Sequence, residues 1–112
     1  MNPKPAKATA ATPTPITINA TGQASPRNAG ISIAQNGGAN FNASYACTLT
    51  FTNPPGCPFQ NCSNNTLSLS QGHNNENLSG SATSGTKYTY TISAPPGPRT
   101  PTTDQFDITV SS

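Results

Sequence analysis

The sequence has no tryptophan, one histidine and one methionine, and its charged residues are only five Lys or Arg and three Asp or Glu in 112 positions. Each shortage excludes a class of function. The cations Lys4, Lys7, Arg27, Lys87 and Arg99 are scattered and form no basic stripe interleaved with aromatics, so no nucleic-acid partner is expected. The acids are Glu76, Asp104 and Asp107. Asp104 and Asp107 lie three residues apart near a predicted strand, where that spacing points them to opposite faces, whereas paired-carboxylate catalysis aims both at one point. His73 stands in a Gly/Asn-rich stretch with no nucleophile elbow, so a Ser/His/Asp triad lacks its parts. The chain is expected not to be an enzyme. No apolar run is long enough for a membrane-spanning helix, and no membrane insertion is expected. Met1 leads straight into Asn2-Pro3-Lys4-Pro5, without the apolar segment of a signal peptide.

Large apolar residues are scarce too. Six Ile, four Leu, one Val, four Phe and three Tyr are all that can build a core. Such scarcity often marks disorder, but a formal net charge of +2 supplies no self-repulsion to keep the chain open. The remainder is dominated by Thr, Ser, Asn, Pro and Gly, which are poor helix formers. An all-β domain is the consequence.

Residues 1–15 carry Pro3, Pro5, Pro13 and Pro15 and almost nothing to bury, and they read as a disordered tail or linker. The domain is expected to span 16–112. From Ile16 the pattern alternates with period two: Ile16, Ile18 and Ala20 on one face, Thr17, Asn19 and Thr21 on the other. Ile31 and Ile33 mark a second short strand. Asn36-Gly37 is a hairpin signal, because both residue types accept positive φ. Phe41, Ala43, Tyr45, Cys47, Leu49 and Phe51 keep one parity, which fits one long bent strand or two strands joined near residues 44–46. Residues 53–65 are irregular and Pro-rich. Leu67 and Leu69 start another strand, ended by Gln71-Gly72, and Leu78, Gly80 and Ala82 make a weak one. Residues 87–94 form the strongest strand pattern, and Phe106, Ile108 and Val110 the last. Tyr88, Tyr90, Ile92, Phe106, Ile108 and Val110 are expected to build one continuous apolar face. Seven or eight short strands with turns every 8–12 residues point to a Greek-key β-sandwich.

A Thr/Ser/Asn-rich composition with almost no Lys or Glu points to an exported protein, secreted, periplasmic or cell-surface, and the three cysteines, Cys47, Cys57 and Cys62, predict one disulfide and one free thiol. The pairing is open, with a slight preference for Cys47 tied to the 57–62 loop. With His73 the three cysteines form a Cys₃His set on paper, but its spacings match no common zinc knuckle, and burial explains a cysteine on a strand. No cofactor or metal is expected. Asn19, Asn42, Asn61, Asn64 and Asn77 each begin an Asn-x-Ser/Thr triplet, about what so Asn- and Thr-rich a composition yields by chance.

The order of signals resembles the cupredoxin-like sandwich of small exported bacterial proteins. ITINAT looks like its opening strand, followed by a Ser-Pro turn and ISIAQNGGANF, a strand, tight turn and strand. CTLTFTN, a Leu-x-Leu strand ending in Gln-Gly, a Tyr-x-Tyr strand and FDITV complete the likeness. An immunoglobulin-like sandwich would read in nearly the same way, without its core Trp. Copper members of the cupredoxin family use two His, a Cys and often a Met, mostly in the loop before the last strand. That loop is SAPPGPRTPTTDQ here and contains none of these, so the resemblance implies a member without its metal.

The expected function is a non-enzymatic exported structural or interaction domain, working through a protein partner or self-assembly. The candidate interaction face is the Thr rows, Thr48 and Thr50 with Thr89 and Thr91, whose uncharged surface resists pairing little. The alternative is a small ligand-binding module for a metal ion or carbohydrate.

Overall fold

The computed structural model describes residues 12–93 and 104–112. Among the described residues are nine strands: β1 (Thr14–Ile18), β2 (Ala24–Ser25), β3 (Asn28–Ser32), β4 (Gly38–Ala43), β5 (Cys47–Phe51), β6 (Thr66–Leu69), β7 (Gly72–Asn77), β8 (Lys87–Ile92) and β9 (Phe106–Ser111). They form a four-stranded sheet in the order β2-β1-β4-β7 and a five-stranded sheet in the order β3-β9-β8-β5-β6. Both sheets are mixed. β1 runs parallel to β4, and β3 runs parallel to β9; the other pairs are antiparallel. Among the described residues no helix is long and apolar enough to cross a membrane.

The core lies between the sheets, where strand alternation sends one residue in two. Ile16 and Ile18, Phe41 and Ala43, Leu49 and Phe51, and Leu67 and Leu69 are buried, as the period-two pattern requires. Tyr88 pairs with Ile108 and Tyr90 with Phe106, so the apolar face expected of the last two strands forms and is buried. A chain of aromatic contacts crosses this core. Phe59 stands edge-on to Phe41 at 5.6 Å and to Phe51 at 6.1 Å. Phe51 meets Tyr90 at 5.2 Å, and Tyr90 meets Phe106 at 5.8 Å. The Arg27 guanidinium lies 4.9 Å from the centre of the Phe106 ring. Each such pair adds about 0.5–1.5 kcal/mol beyond burial, which matters where so few large side chains carry the fold.

Of the two readings of the run from Phe41 to Phe51, the second holds: it is two strands, in different sheets, and residues 44–46 cross between them. Other sequence expectations are corrected. Asn36-Gly37 makes the expected tight turn, with Gly37 at φ 70°. It joins β3 to β4 in opposite sheets, so it is an arch rather than a hairpin. Ile33 does not continue β3; it lies in the turn and is the one exposed large apolar residue among those described. The weak strand at 78–82 is absent beyond an isolated bridge from Leu78 to Phe59. In its place β7 forms from GHNNEN, which has no large apolar residue to announce it. Its backbone fits tightly on β4, since a Cβ on Gly38 would collide with the Glu76 carbonyl oxygen. β2 was hidden in the turn-rich stretch for the same lack of apolar residues. Strand β1 begins at Thr14, two residues before the alternation suggested. The Thr12 N–H donates to the Gln35 carbonyl at 3.1 Å, so pairing reaches back to residue 12. The rest of the expected tail, residues 1–11, and the Pro-rich stretch 94–103 lie outside the described residues.

Candidate interaction surfaces

Strand directions give the sandwich two poles. One carries Thr12, the 33–37 turn, the 53–65 loop, the 78–86 segment and Ser112; the other carries the 19–23 and 44–46 turns and Ser70-Gln71. Thr12 and Ser112 converge on one turn. Asn36 Nδ2 donates to the Thr12 carbonyl at 2.8 Å, and Ser32 Oγ donates to the Ser112 carbonyl at 2.8 Å. The Ile33 N–H adds a bond to the Ser111 carbonyl at 2.7 Å.

The outer face of the five-stranded sheet brings the predicted Thr rows together. Thr50 pairs with Thr91 on one side and Thr66 on the other, and Thr48 pairs with Ser68. Thr89 pairs with Asp107 and donates from Oγ1 to its Oδ1 at 2.8 Å. Thr109, Asn28, Gly30 and Ser32 extend the same parity across β9 and β3. Thr is a strong strand former, and cross-strand Thr pairs contribute roughly 0.2–1 kcal/mol. Among the described residues, Lys87 and Asp107 are the charges on this face.

A second polar face, rich in Asn, lies on the four-stranded sheet. Asn42 pairs with His73 and with Thr17, and Asn40 pairs with Asn75 and with Pro15. His73 is thus an exposed strand residue, not a turn residue. In the sequence this face is marked by the alternation of Thr17 with Ile16 and Ile18 and of Asn40 and Asn42 with Phe41 and Ala43; His73 and Asn75 carry no such mark.

The disulfide joins Cys57 to Cys62, and Cys47 is free and buried on β5. The preference for a bond from Cys47 to the loop is therefore corrected: Cys47 points into the core at the far end of β5 from that loop. Burial pushes its thiol up to about 11 from the usual 9.0, since the charged thiolate is disfavoured away from water. The Cys₃His set is not assembled. Two of its sulfurs are bonded to each other, Cys47 is buried in one sheet and His73 is exposed on the other. Among the described residues no group of three or more His, Cys, Asp or Glu is placed to hold a metal ion.

The stapled loop folds back on the sandwich. Phe59 enters the core, the Gln60 N–H donates to the Asn77 carbonyl at 2.9 Å, and the Ser79 N–H donates to the Pro58 carbonyl at 2.7 Å. Asn61 Nδ2 donates to Oε1 of the buried Glu76 at 2.9 Å. The other carboxylates also take neutral partners, Asp104 from Gln23 and Asp107 from Thr89. Tyr88 and Tyr90 both pack in the core. The Tyr88 hydroxyl accepts from the Thr83 N–H at 3.0 Å, whereas the Tyr90 hydroxyl has no hydrogen-bond partner among the described residues.

Sheet edges are blunted by local bonds. Asn74 Oδ1 accepts from the Ser70 N–H beside β7, Thr14 Oγ1 donates to the Gly30 carbonyl of β3, and Ser63 and Thr66 exchange backbone bonds at the start of β6. Such bonds occupy part of the edges of β7, β3 and β6, which weakens edge-to-edge pairing there. No family model, no curated protein and no solved structure matches the chain.

Proposed function

We propose that the chain is a non-enzymatic structural or interaction domain of an exported protein, built as a cupredoxin-like sandwich. The observation that carries the reading is the outer face of the five-stranded sheet, where Thr48, Thr50, Thr66, Thr89 and Thr91 come together in register.

The cupredoxin-like assignment rests on the parallel β1·β4 pair, because an immunoglobulin-like sandwich is built from two antiparallel sheets. Export is supported by the disulfide. Partnering through the Thr face is supported by its near absence of charge. Five strands of about five residues present roughly 400 Å², less than the ~800 Å² a side of a standard interface. A single pair of faces therefore associates weakly, and copies held side by side on a surface gain by effective concentration.

Sedimentation of the wild-type chain up to submillimolar concentration tests this, with Thr50→Lys/Thr91→Lys as comparison. Reversible association that the double variant abolishes, at unchanged melting temperature, supports the reading. Monomers throughout, for both chains, would remove self-assembly through this face.

A further inference from the structure

Of the five Asn-x-Ser/Thr triplets, the structure singles out one, and we propose that Asn19 is an acceptor site for N-linked glycan. The triplet Asn19-Ala20-Thr21 forms the turn after β1, at the pole opposite Thr12 and Ser112. Asn19 and Thr21 are exposed. Asn19 Oδ1 accepts three hydrogen bonds: from the Thr21 N–H at 3.0 Å, from Thr21 Oγ1 at 2.7 Å and from the Gln23 N–H at 3.0 Å. Its Nδ2 bonds no described residue and is free to react.

This arrangement suits the chemistry. An amide nitrogen is a poor nucleophile because its lone pair is shared with the carbonyl. Donors on Oδ1 draw charge onto the oxygen and make an Nδ2 proton easier to lose. The bonds to Thr21 span two residues, so they need no tertiary partner and are available before the sheets pack. In the transfer, one Nδ2–H bond breaks and a C–N bond forms to the anomeric carbon of a lipid-pyrophosphate-linked oligosaccharide. The anomeric C–O bond breaks, the pyrophosphate leaves with that electron pair, and the proton passes to the base of the oligosaccharyltransferase. No redox change is involved.

The other triplets lack this coupling. At Asn61 the Ser63 hydroxyl makes no bond to the side-chain amide, whose Nδ2 donates to Glu76 in the packed sandwich. The Thr66 hydroxyl donates to the Ser63 carbonyl rather than to Asn64. The Ser79 hydroxyl pairs with Ser81 rather than Asn77. Asn42 lies in a central strand between β1 and β7, and Ser44 makes no bond to its side chain. A glycan at Asn19 extends from a turn tip into solvent and displaces nothing in either sheet.

The test is secretion of the full chain from eukaryotic cells behind a cleavable leader, together with a reporter glycoprotein. Intact mass and peptide mapping after enzymatic deglycosylation locate the glycan as an Asn-to-Asp conversion. One glycan per chain is expected, at Asn19, lost in Thr21→Val and retained in Thr21→Ser. Thr21→Val keeps the backbone bonds to Asn19, and its melting curve shows whether it folds. An unmodified chain beside a modified reporter overturns the proposal, as does modification at other triplets with Asn19 bare.

Discussion

Asn61 and Glu76 meet across the gap between the sheets: the side-chain amide of the stapled loop donates at 2.9 Å to a carboxylate that β7 holds at 7% exposure. The loop belongs to the connection between β5 and β6, both in the five-stranded sheet, whereas Glu76 belongs to the four-stranded sheet. One hydrogen bond thus ties the stapled loop to the opposite sheet. Removing a partner from a buried acceptor costs about 1–3 kcal/mol. Asn61→Ala should lower stability by that amount in urea unfolding, and Glu76→Gln, which keeps an acceptor, by less. An Asn61→Ala chain as stable as wild type would show that solvent satisfies Glu76.

Parity on β8 sets a contrast. Ile92 faces the core and Thr91 faces outward beside Thr50. Ile92→Ala should cost about 2–5 kcal/mol, through lost transfer energy and the cavity left behind. Thr91→Ala should stay near or below about 1 kcal/mol, the cost of a cross-strand pair. Chemical denaturation of the two variants checks the register, and a reversed order of cost would mean the strand is turned over.

Cys47 should make stability fall in alkali. Its folded-state value near 11 lies above the ordinary 9.0, so the fold holds the proton more tightly than the unfolded chain does. The contribution is complete below about pH 9 and is lost as pH rises towards 11. Two units correspond to about 3 kcal/mol. Tyr90, raised by burial and then by Asp107 and Cys47, acts in the same direction at higher pH. In Cys47→Ala the decline should begin later; equal slopes between pH 9 and 10 would count against this account.

The disulfide closes a short loop, with Cys57 and Cys62 separated by five positions. Chain entropy for a loop of this size is worth roughly 2 kcal/mol. Reduction should lower the urea midpoint accordingly without unfolding the domain, because Phe59, Gln60 and Ser79 anchor the loop independently. Labelling the unfolded, unreduced chain should find one thiol per molecule, and peptide mapping should place it at Cys47.

Deleting residues 1–14 should be costly, against the expectation of a dispensable tail through residue 15. The deletion removes both bonds of Thr12 to the 35–36 turn, the bond from Thr14 Oγ1 to Gly30 and the first residue of β1. Differential scanning calorimetry should show a lower melting temperature than that of a chain starting at residue 12. Equal melting temperatures would mean these bonds add nothing.

The sequence by itself determined the class of fold, because a strand with one buried face writes that face as alternation. Ile16 and Ile18, Leu49 and Phe51, Tyr90 and Ile92, and Phe106 and Ile108 each carry it, and each is buried. It also determined which Thr residues share a face, since parity within a strand is local. It could not show β7, whose role is to cover an edge of β4 through backbone bonds; His73, Asn75 and Asn77 face out, so no apolar period marks the strand. Nor could it separate β4 from β5, because a chain that crosses from one sheet to the other can keep its inward parity. The partner of Cys57, the bond from Asn61 to Glu76 and the meeting of Thr12 with Ser112 at one turn all join residues by their positions in space. These were decided only when two sheets packed face to face and brought distant segments to the same pole.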